Sequence, residues 1–334
     1  MTTKTHIALY RKYRPQSFDD VVGQEHLVEL LKSTIKQKKT AHAYLFCGGR
    51  GTGKTTVARI FARDIGCNPE DIIEIDAASN RGIDEIRELR EAVRTAPFSS
   101  EYKVYIIDEA HMLTKEAANA LLKTLEEPPT HVIFILATTD PEKLPQTIVS
   151  RCQKIIFKQP DLATLAKRLS YVAEEEGKKM EEETAMLLAR HGKGSYRDAL
   201  GILEQVLALS AKDVEHKSVM TFLGTPDKEL LLTLLESVCA KDAKKVTEVI
   251  ETFEKSGGSA LRGYDEFIEL VRQGLLVRIN ESSIEKSEIA RIATTYPHMI
   301  SSKTILELLE KRDLLEVSEA HVWTAYMAIL LSVM

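Results

Sequence analysis

The first 160 residues alternate short apolar, β-branched runs with longer amphipathic stretches. This alternation is typical of repeated strand and helix units, which place their strands side by side in a parallel sheet. Five runs are predicted to be strands: Ala43–Cys47, Ile72–Ile75, Val104–Ile107, Val132–Leu136 and Lys154–Phe157. The pattern therefore predicts an α/β domain over residues 1–160, with a parallel sheet flanked by helices.

Two of the amphipathic stretches are predicted to be helices, over 84–95 and 115–127. The second stretch stops at Pro128 and Pro129, because proline rings cannot continue a helix.

After Pro160 the strand pattern disappears, and apolar residues recur at spacings of three and four. This period predicts helices over 162–175, 182–190 and 196–209, hence a small helical domain over 161–223. Gly224–Pro226 breaks the periodicity and is predicted to be a linker. A third, all-helical stretch covers 224–334, and its last helix, 318–333, is apolar enough to require a packing partner.

The amino-acid composition and net charge limit the kinds of protein that the chain can be. The chain has 334 residues, enough for two or three domains, and 44% hydrophobic with 28% charged residues is ordinary globular usage. With 45 Lys and Arg against 50 Asp and Glu, the net charge is -5. A general polyanion binder is therefore not expected, and any contact with nucleic acid must come from a local patch.

The N-terminus, Met1 to Lys12, lacks the apolar core of a signal peptide, and no run of about 18 apolar residues follows. We therefore expect a cytoplasmic protein without a membrane partner. The four cysteines, Cys47, Cys67, Cys152 and Cys239, are far apart and show no metal-ligand spacing. Reduced thiols without structural zinc are expected.

A phosphate-binding loop stands between the first predicted strand and the following helix. The segment GGRGTGKT fits GxxxxGK[ST] and comprises Gly48, Gly49, Arg50, Gly51, Thr52, Gly53, Lys54 and Thr55. Its glycines let backbone N–H groups surround phosphate oxygens, Lys54 supplies a positive charge, and the Thr55 hydroxyl can bind Mg²⁺. These residues, with Thr56 after them, are predicted to bind ATP.

Two carboxylates, Asp108 and Glu109, follow the third predicted strand, at the sheet edge where parallel sheets bind ligands. Asp108 is predicted to hold Mg²⁺ and Glu109 to activate the attacking water. A solvated pair of loop carboxylates is the alternative. His111 is expected to be structural, because no second His or Cys stands at metal-ligand spacing.

The fourth predicted strand leads into Thr138, Thr139 and Asp140. A hydroxyl is therefore expected at the sheet edge beside the carboxylates. On its own the same pattern is more typical of a threonine that ends a strand or caps the next turn.

Taken together, the motifs resemble those of the AAA+ clamp-loader ATPases, most closely the bacterial ones. They are LYRKYRP from Leu9, FDDVVGQ from Phe18, the phosphate loop, DEAH from Asp108, LLKTLEEPP from Leu121, ATTD from Ala137 and SRC from Ser150. The resemblance covers the whole chain and is strongest up to about residue 210. It implies an AAA+ domain over 1–160, a helical lid over 161–223 and a helical collar for oligomerisation over 224–334.

The resemblance also assigns roles to single residues. Thr139 is similar to the sensor-1 residue, Arg197 in GSYRDAL to sensor 2, and Arg151 to the arginine finger that reaches a neighbouring subunit's ATP. Tyr10, Arg14, Pro15 and Val22 lie in the segment with which this family grips adenine. From the residues alone, an ion pair of Arg197 with Asp198 or Glu204 is an equally good interpretation.

The function implied by the resemblance is that of an ATPase motor subunit that loads a sliding clamp onto primed DNA. The implied partners are further loader subunits of the delta and delta-prime types, copies of the same chain, a beta-type clamp and primer-template DNA. Related bacterial subunits carry a four-cysteine zinc insertion soon after the position of Cys67. Here Asn68 and Pro69 lead directly to the second strand, so we expect no zinc module.

For DNA, the candidates are Arg81, Arg87 and Arg90, three arginines on or just before the predicted helix over 84–95, where Arg94 shares their spacing. Phosphate contacts there would be independent of base sequence. The alternative is a solvated helix, since Glu85, Glu88 and Glu91 alternate with the arginines.

Two other functions share parts of this pattern. A branch-migration AAA+ helicase has the same ATP motifs, but its winged-helix module would need paired strands after the lid. A scaffold subunit that does not hydrolyse ATP would be expected to lack Lys54 or the carboxylate pair, and this sequence has both.

Overall fold

The computed structural model describes residues 7–79, 88–89, 91–210, 212–279 and 287–334, apart from the side chain of Glu319. The chain forms two compact units, Met1–Val214 and Glu215–Met334. The boundary between them lies one helix before the segment Gly224–Pro226 that the sequence predicted to be a linker.

The first unit contains a five-stranded parallel sheet, as predicted. The strands are β1 (Ala43–Cys47), β2 (Ile72–Asp76), β3 (Lys103–Asp108), β4 (Val132–Thr138) and β5 (Gln153–Ile156), in the order β2-β3-β4-β1-β5. Every residue of β1 and β4 is buried. Strands covered on both faces require nearly continuous apolar runs, which is why these two were the clearest in the sequence.

Residues of the central strands alternate between two apolar cores, one on each face of the sheet. Tyr44 and Phe46 pack with Phe61 on one face. Leu45 packs with Leu121 on the other. Successive side chains of β1 point to opposite faces of the sheet, so apolar residues are available for helix packing on both faces.

Eight α-helices of this unit lie within the described residues. They are α1 (Leu9–Lys12), α2 (Glu25–Lys36), α3 (Lys54–Asp64), α4 (Lys115–Glu126), α5 (Gln146–Val149), α6 (Leu162–Glu175), α7 (Glu182–His191) and α8 (Tyr196–Leu209). Three have side-chain N-caps: Thr114 accepts from Ala117 N–H, Asp161 from Thr164 and Ser195 from Asp198. Of the helix predicted over 84–95, residues 84–87 and 90 lie outside the described residues, and residues 88–89 and 91–93 are helical.

The second unit is helical wherever the structure describes it, with no strand from Glu215 onward in those residues. Its helices are α9 (His216–Leu223), α10 (Lys228–Cys239), α11 (Ala243–Lys255), α12 (Ala260–Ile279), α13 (Glu288–Thr295), α14 (Ser302–Lys311), α15 (Asp313–Val317) and α16 (Val322–Ser332). In its core the Tyr264 and Tyr326 rings meet edge to face at 5.5 Å.

The last helix is shorter than the sequence predicted, because it begins at Val322 after a short 3-10 turn. Its packing partner lies in its own unit, where Ile329 and Leu330 are buried in the core. None of the helices in the described part of the chain combines the length and apolarity needed to cross a bilayer.

A buried carboxylate joins β2 to the segment before β3. Asp71 is 1% exposed and accepts backbone N–H bonds from Phe98 at 2.6 Å, Ser99 at 2.9 Å and Ser100 at 3.0 Å. Burial alone would raise the pKa of Asp71, but these hydrogen bonds outweigh it and hold the pKa below its usual value.

We expect Asp71→Asn to lower the free energy of unfolding by about 1–3 kcal/mol, because an amide accepts these bonds less well than a carboxylate. Urea denaturation near pH 7 measures this. The folded pKa lies below the unfolded value of about 3.9, so the stabilisation is present above about pH 4 and is lost as the pH falls through the folded value. Glu70→Gln, at the exposed neighbouring position, is the control and should change stability by less than about 0.5 kcal/mol.

Candidate functional site

A pocket lies beside the carboxyl ends of β1 and β3. It brings together residues from the N-terminal segment, the phosphate loop, the end of β3 and the start of α8. Of the predicted site residues, those lining it are Tyr10, Arg14, Pro15, Val22, Arg50, Gly51, Thr52, Gly53, Lys54, Thr55, Thr56, Asp108, Glu109 and Arg197.

The loop before α3 is held from inside by its own lysine. Lys54 is 6% exposed, and its Nζ donates to the carbonyls of Gly48 and Gly49, both at 2.8 Å. Gly53, with φ +100°, is in the left-handed conformation that glycine allows, and the helix begins at the next residue. Burial lowers the pKa of Lys54, while Glu109 and Asp108 act against that shift.

The residues proposed for Mg²⁺ already touch each other. Thr55 Oγ1 donates to Asp108 Oδ2 at 2.7 Å. Hydroxyl and carboxylate oxygens are hard ligands that suit Mg²⁺, which keeps waters and phosphate oxygens in its other positions. The described residues contain no cluster of three or more His, Cys, Asp or Glu side chains able to hold a metal. The oxygens of Thr55 and Asp108 themselves fit Mg²⁺ bound together with water and phosphate oxygens.

Glu109 combines backbone strain with incomplete hydrogen bonding. Its φ of +48° is left-handed, which is uncommon for a residue with a side chain. Its Oε2 is buried and makes no hydrogen bond with any described residue. His111 Nδ1 lies 3.5 Å from this oxygen. Strain and an unsatisfied buried oxygen are features that cluster at functional sites.

The start of α8 closes the pocket, and the sequence had not singled out the residues that do so. Tyr196 N–H donates to the Gly51 carbonyl at 3.0 Å, and Tyr196 Oη donates to the Val22 carbonyl at 2.8 Å. Burial raises the pKa of Tyr196 to about 12, so its hydroxyl remains a donor at neutral pH. Ser195 packs so closely on Gly51 that a Cβ there would lie 2.0 Å from Ser195 Oγ. The only sequence signal for either residue is its place beside Arg197.

The N-terminal segment is bonded to the same helices. Leu9 N–H donates to Glu204, and Tyr13 Oη donates to Glu176 at 2.6 Å. Arg168, a second pocket residue missed from the sequence, donates to the Tyr13 carbonyl at 2.7 Å.

Arg197 and Arg14 bring positive charge to the pocket. The Arg197 guanidinium lies 5.6 Å from the centre of the Tyr10 ring, a cation–π contact. The two acidic residues weighed as its partners contact other groups, since Asp198 lies 4.0 Å from Arg50 and Glu204 accepts from Leu9. Burial, then the nearby cations Arg59 and Arg197, lower the pKa of Arg14.

Four predicted site residues are not among those lining the pocket: Gly48, Gly49, Thr139 and Arg151. Thr139 Oγ1 donates to Asp140 at 3.1 Å. Arg151 donates to Glu126 at 2.6 Å and to the Thr147 carbonyl at 2.7 Å. The predicted DNA contacts Arg81, Arg87 and Arg90 lie outside the described residues.

All four cysteines are free thiols. Burial raises the pKa of Cys152 and of Cys239 to about 12, so both stay protonated at neutral pH.

Two sequence families match the first unit of the chain. The family described as DNA polymerase III, delta subunit, matches residues 23–80 and 69–161. The family described as DNA polymerase III clamp loader subunit, ATPase lid domain, matches residues 164–212.

Curated relatives extend the similarity into the second unit. The tau subunit of Bacillus subtilis DNA polymerase III is 38% identical over 91% of this chain and 58% of its own length. The Escherichia coli tau subunit is 41% identical over 81% of this chain and 45% of its own length. The gamma subunit of Buchnera aphidicola is 37% identical over 79% of this chain and 78% of its own. The chain thus spans about half the length of the tau subunits that it matches.

Solved structures support the fold. The Thermotoga maritima RuvB Holliday junction branch migration motor superposes with a TM-score of 0.54 at 22% identity, over 68% of this chain and 79% of that one. At this identity the likeness shows the fold alone.

We expect Gly51→Ala to weaken nucleotide binding about tenfold or more, because the added methyl group overlaps Ser195 and overpacking costs about 1–3 kcal/mol. Titration with a fluorescent ADP analogue measures the affinity.

Gly66→Ala is the matched control. Gly66 has φ +89°, so it carries the same kind of backbone strain, but an added Cβ meets nothing within 4 Å. It should lose some stability and keep its nucleotide affinity. Equal affinities for the two variants would show that the contact between Gly51 and Ser195 does not shape the pocket.

Proposed function

The chain belongs to the family of DNA polymerase III tau and gamma subunits, and from this premise we propose that it is an ATPase motor subunit of a bacterial clamp loader. It uses ATP binding and hydrolysis to load a sliding clamp onto primed DNA during replication. One observation carries the proposal: a complete phosphate loop lies at the same sheet edge as Asp108 and Glu109, under helices that close on it.

In this proposal the phosphate loop binds the triphosphate through its backbone N–H groups and Lys54. Tyr10, Pro15 and Val22 flank the adenine. Thr55 and Asp108 would hold Mg²⁺, which when bound neutralises charge on the phosphate oxygens. Glu109 orients the attacking water and accepts its proton.

Three residues complete the reaction around the γ-phosphate. Thr139 and Arg197 act as sensors of the phosphate, and Arg197 already lines the pocket. Arg151 acts on the ATP of a neighbouring subunit. Its position outside its own pocket supports that role, and such a finger contributes roughly 10³- to 10⁵-fold in related reactions.

The proposed partners are subunits of the delta and delta-prime types, further copies of this chain, a beta-type sliding clamp and primer-template DNA. Arg81, Arg87 and Arg90 are the proposed phosphate contacts. Contacts of this kind are independent of base sequence, which suits loading at any primer end. The place of action would be the cytoplasmic replication fork.

Reconstitution tests the proposed function directly. ATP hydrolysis is measured for the chain assembled with delta- and delta-prime-type subunits, with clamp, with primed DNA, with both and with neither. Strong stimulation that requires both clamp and primed DNA is expected. Full stimulation by branched DNA without clamp would instead indicate a helicase, and no hydrolysis under any condition would indicate a scaffold.

We expect Arg151→Ala to reduce the stimulated hydrolysis of the assembly by roughly 10³-fold, because the finger's charge is lost from the neighbouring site. ATP binding by the variant chain itself should be unchanged, since Arg151 does not line its own pocket. Steady-state hydrolysis and nucleotide titration measure the two effects.

Arg151→Lys is the companion variant. It keeps the positive charge but lacks the planar guanidinium group, so the stimulated hydrolysis of the assembly should remain well below the wild-type rate. If Arg151→Ala kept full stimulation, the finger assignment would be wrong.

A further inference from the structure

His111 lies between the ends of β3 and β4, where its side chain is 9% exposed. Its Nδ1 is 3.0 Å from Thr138 Oγ1 and 3.5 Å from Glu109 Oε2. Its Nε2 is 3.5 Å from Asp140 Oδ2. One ring therefore faces Glu109 and two residues at and just after the end of β4, Thr138 and Asp140.

Thr138 connects this ring to the phosphate loop. It is fully buried, and its carbonyl accepts the Gly48 N–H at 3.2 Å. Its hydroxyl meets His111 and also accepts the Asp140 N–H at 3.1 Å. Thr138 thus contacts both the first loop glycine, through its carbonyl, and the imidazole, through its hydroxyl.

The carboxylate of Glu109 is the group that lacks a partner in this arrangement. Its Oε2 is buried and makes no hydrogen bond with the part of the chain that the structure describes, and its backbone is left-handed. The 3.5 Å separation from Nδ1 is longer than a good hydrogen bond, whereas 3.0 Å to Thr138 is within range. Nδ1 is therefore within hydrogen-bond range of Thr138 and would have to move closer to Glu109 to bond its carboxylate.

We propose that His111 is a positioning residue, which sets the Glu109 carboxylate for hydrolysis by exchanging its Nδ1 contact between Thr138 and Glu109. The inference rests on the proposed function, in which Glu109 activates water. The phosphate loop biases the exchange through Gly48 and Thr138, so that the state of the loop determines when Glu109 is held. Binding of the nucleotide itself does not depend on His111, which is absent from the pocket lining.

Three substitutions separate the two ring nitrogens. His111→Asn keeps a donor near the Nδ1 position, which faces Thr138 and Glu109. His111→Gln keeps one near the Nε2 position, which faces Asp140. His111→Ala removes both. For each variant of the full chain, kcat and KM for ATP are measured in the reconstituted assembly, together with nucleotide affinity and the thermal unfolding midpoint.

We expect His111→Asn to keep kcat within about threefold of wild type, and both other variants to lose about 10- to 100-fold, the size of effect that follows from a misplaced catalytic group. KM and nucleotide affinity should stay within about twofold for all three. A kcat unchanged in His111→Ala would overturn the inference. An equal loss of kcat in all three variants would also overturn the inference, because it would indicate that His111 acts only through its packing.

Glu109→Gln separates failure of this inference from failure of the proposed function. If Glu109→Gln abolishes hydrolysis while His111→Ala leaves it intact, the positioning role alone is wrong. If Glu109→Gln hydrolyses ATP normally, the role of Glu109 itself is wrong and the inference falls with it. If both are right, adding His111→Ala to Glu109→Gln causes no further loss of kcat, because the two residues act as a unit.

Discussion

The parallel pairing of β1 with β4 is the constraint on which the site depends. Cys47 lies opposite Thr138, and the ladder continues one residue further, where Gly48 N–H donates to Thr138. Because parallel strands end at one edge, the same register brings the end of β3 level with the loop. A slip of one residue would turn the apolar side chains of β1 to the wrong faces and move the loop away from Asp108.

Much of this arrangement could be predicted from the sequence, because its signals are local. Buried strands such as β1 and β4 need unbroken apolar runs, and GGRGTGKT and the pair Asp108–Glu109 stand directly after strands. The parallel fold is confirmed; the bounds of β1 are as predicted, and those of the other four strands differ by one or two residues. The roles of single site residues stay proposals.

The parts that could not be predicted depend on contacts between distant segments. Asp71 gives no signal in the sequence that it will accept N–H bonds from residues 98–100. Tyr196 lies 174 positions from Val22, the residue to which it donates. His111 was expected to be structural, since metal-ligand spacing was the property tested, whereas its contacts are to a threonine and two carboxylates. The spacing of residues along the chain does not predict contacts of this kind.

The bonds of the N-terminal segment have a mechanical consequence. Leu9 and Tyr13 are tied to α8 and α6, whereas Gln16 is tied to Arg63 of α3, on the sheet. Between these attachments stands Pro15, whose ring fixes its own φ. Residues 9–13 are thus held by the helices and Gln16 by α3, with Arg14 and Pro15 connecting the two attachments. In the proposed function, these attachments would couple the Tyr10 side of the nucleotide pocket to the helices of the lid rather than to the sheet.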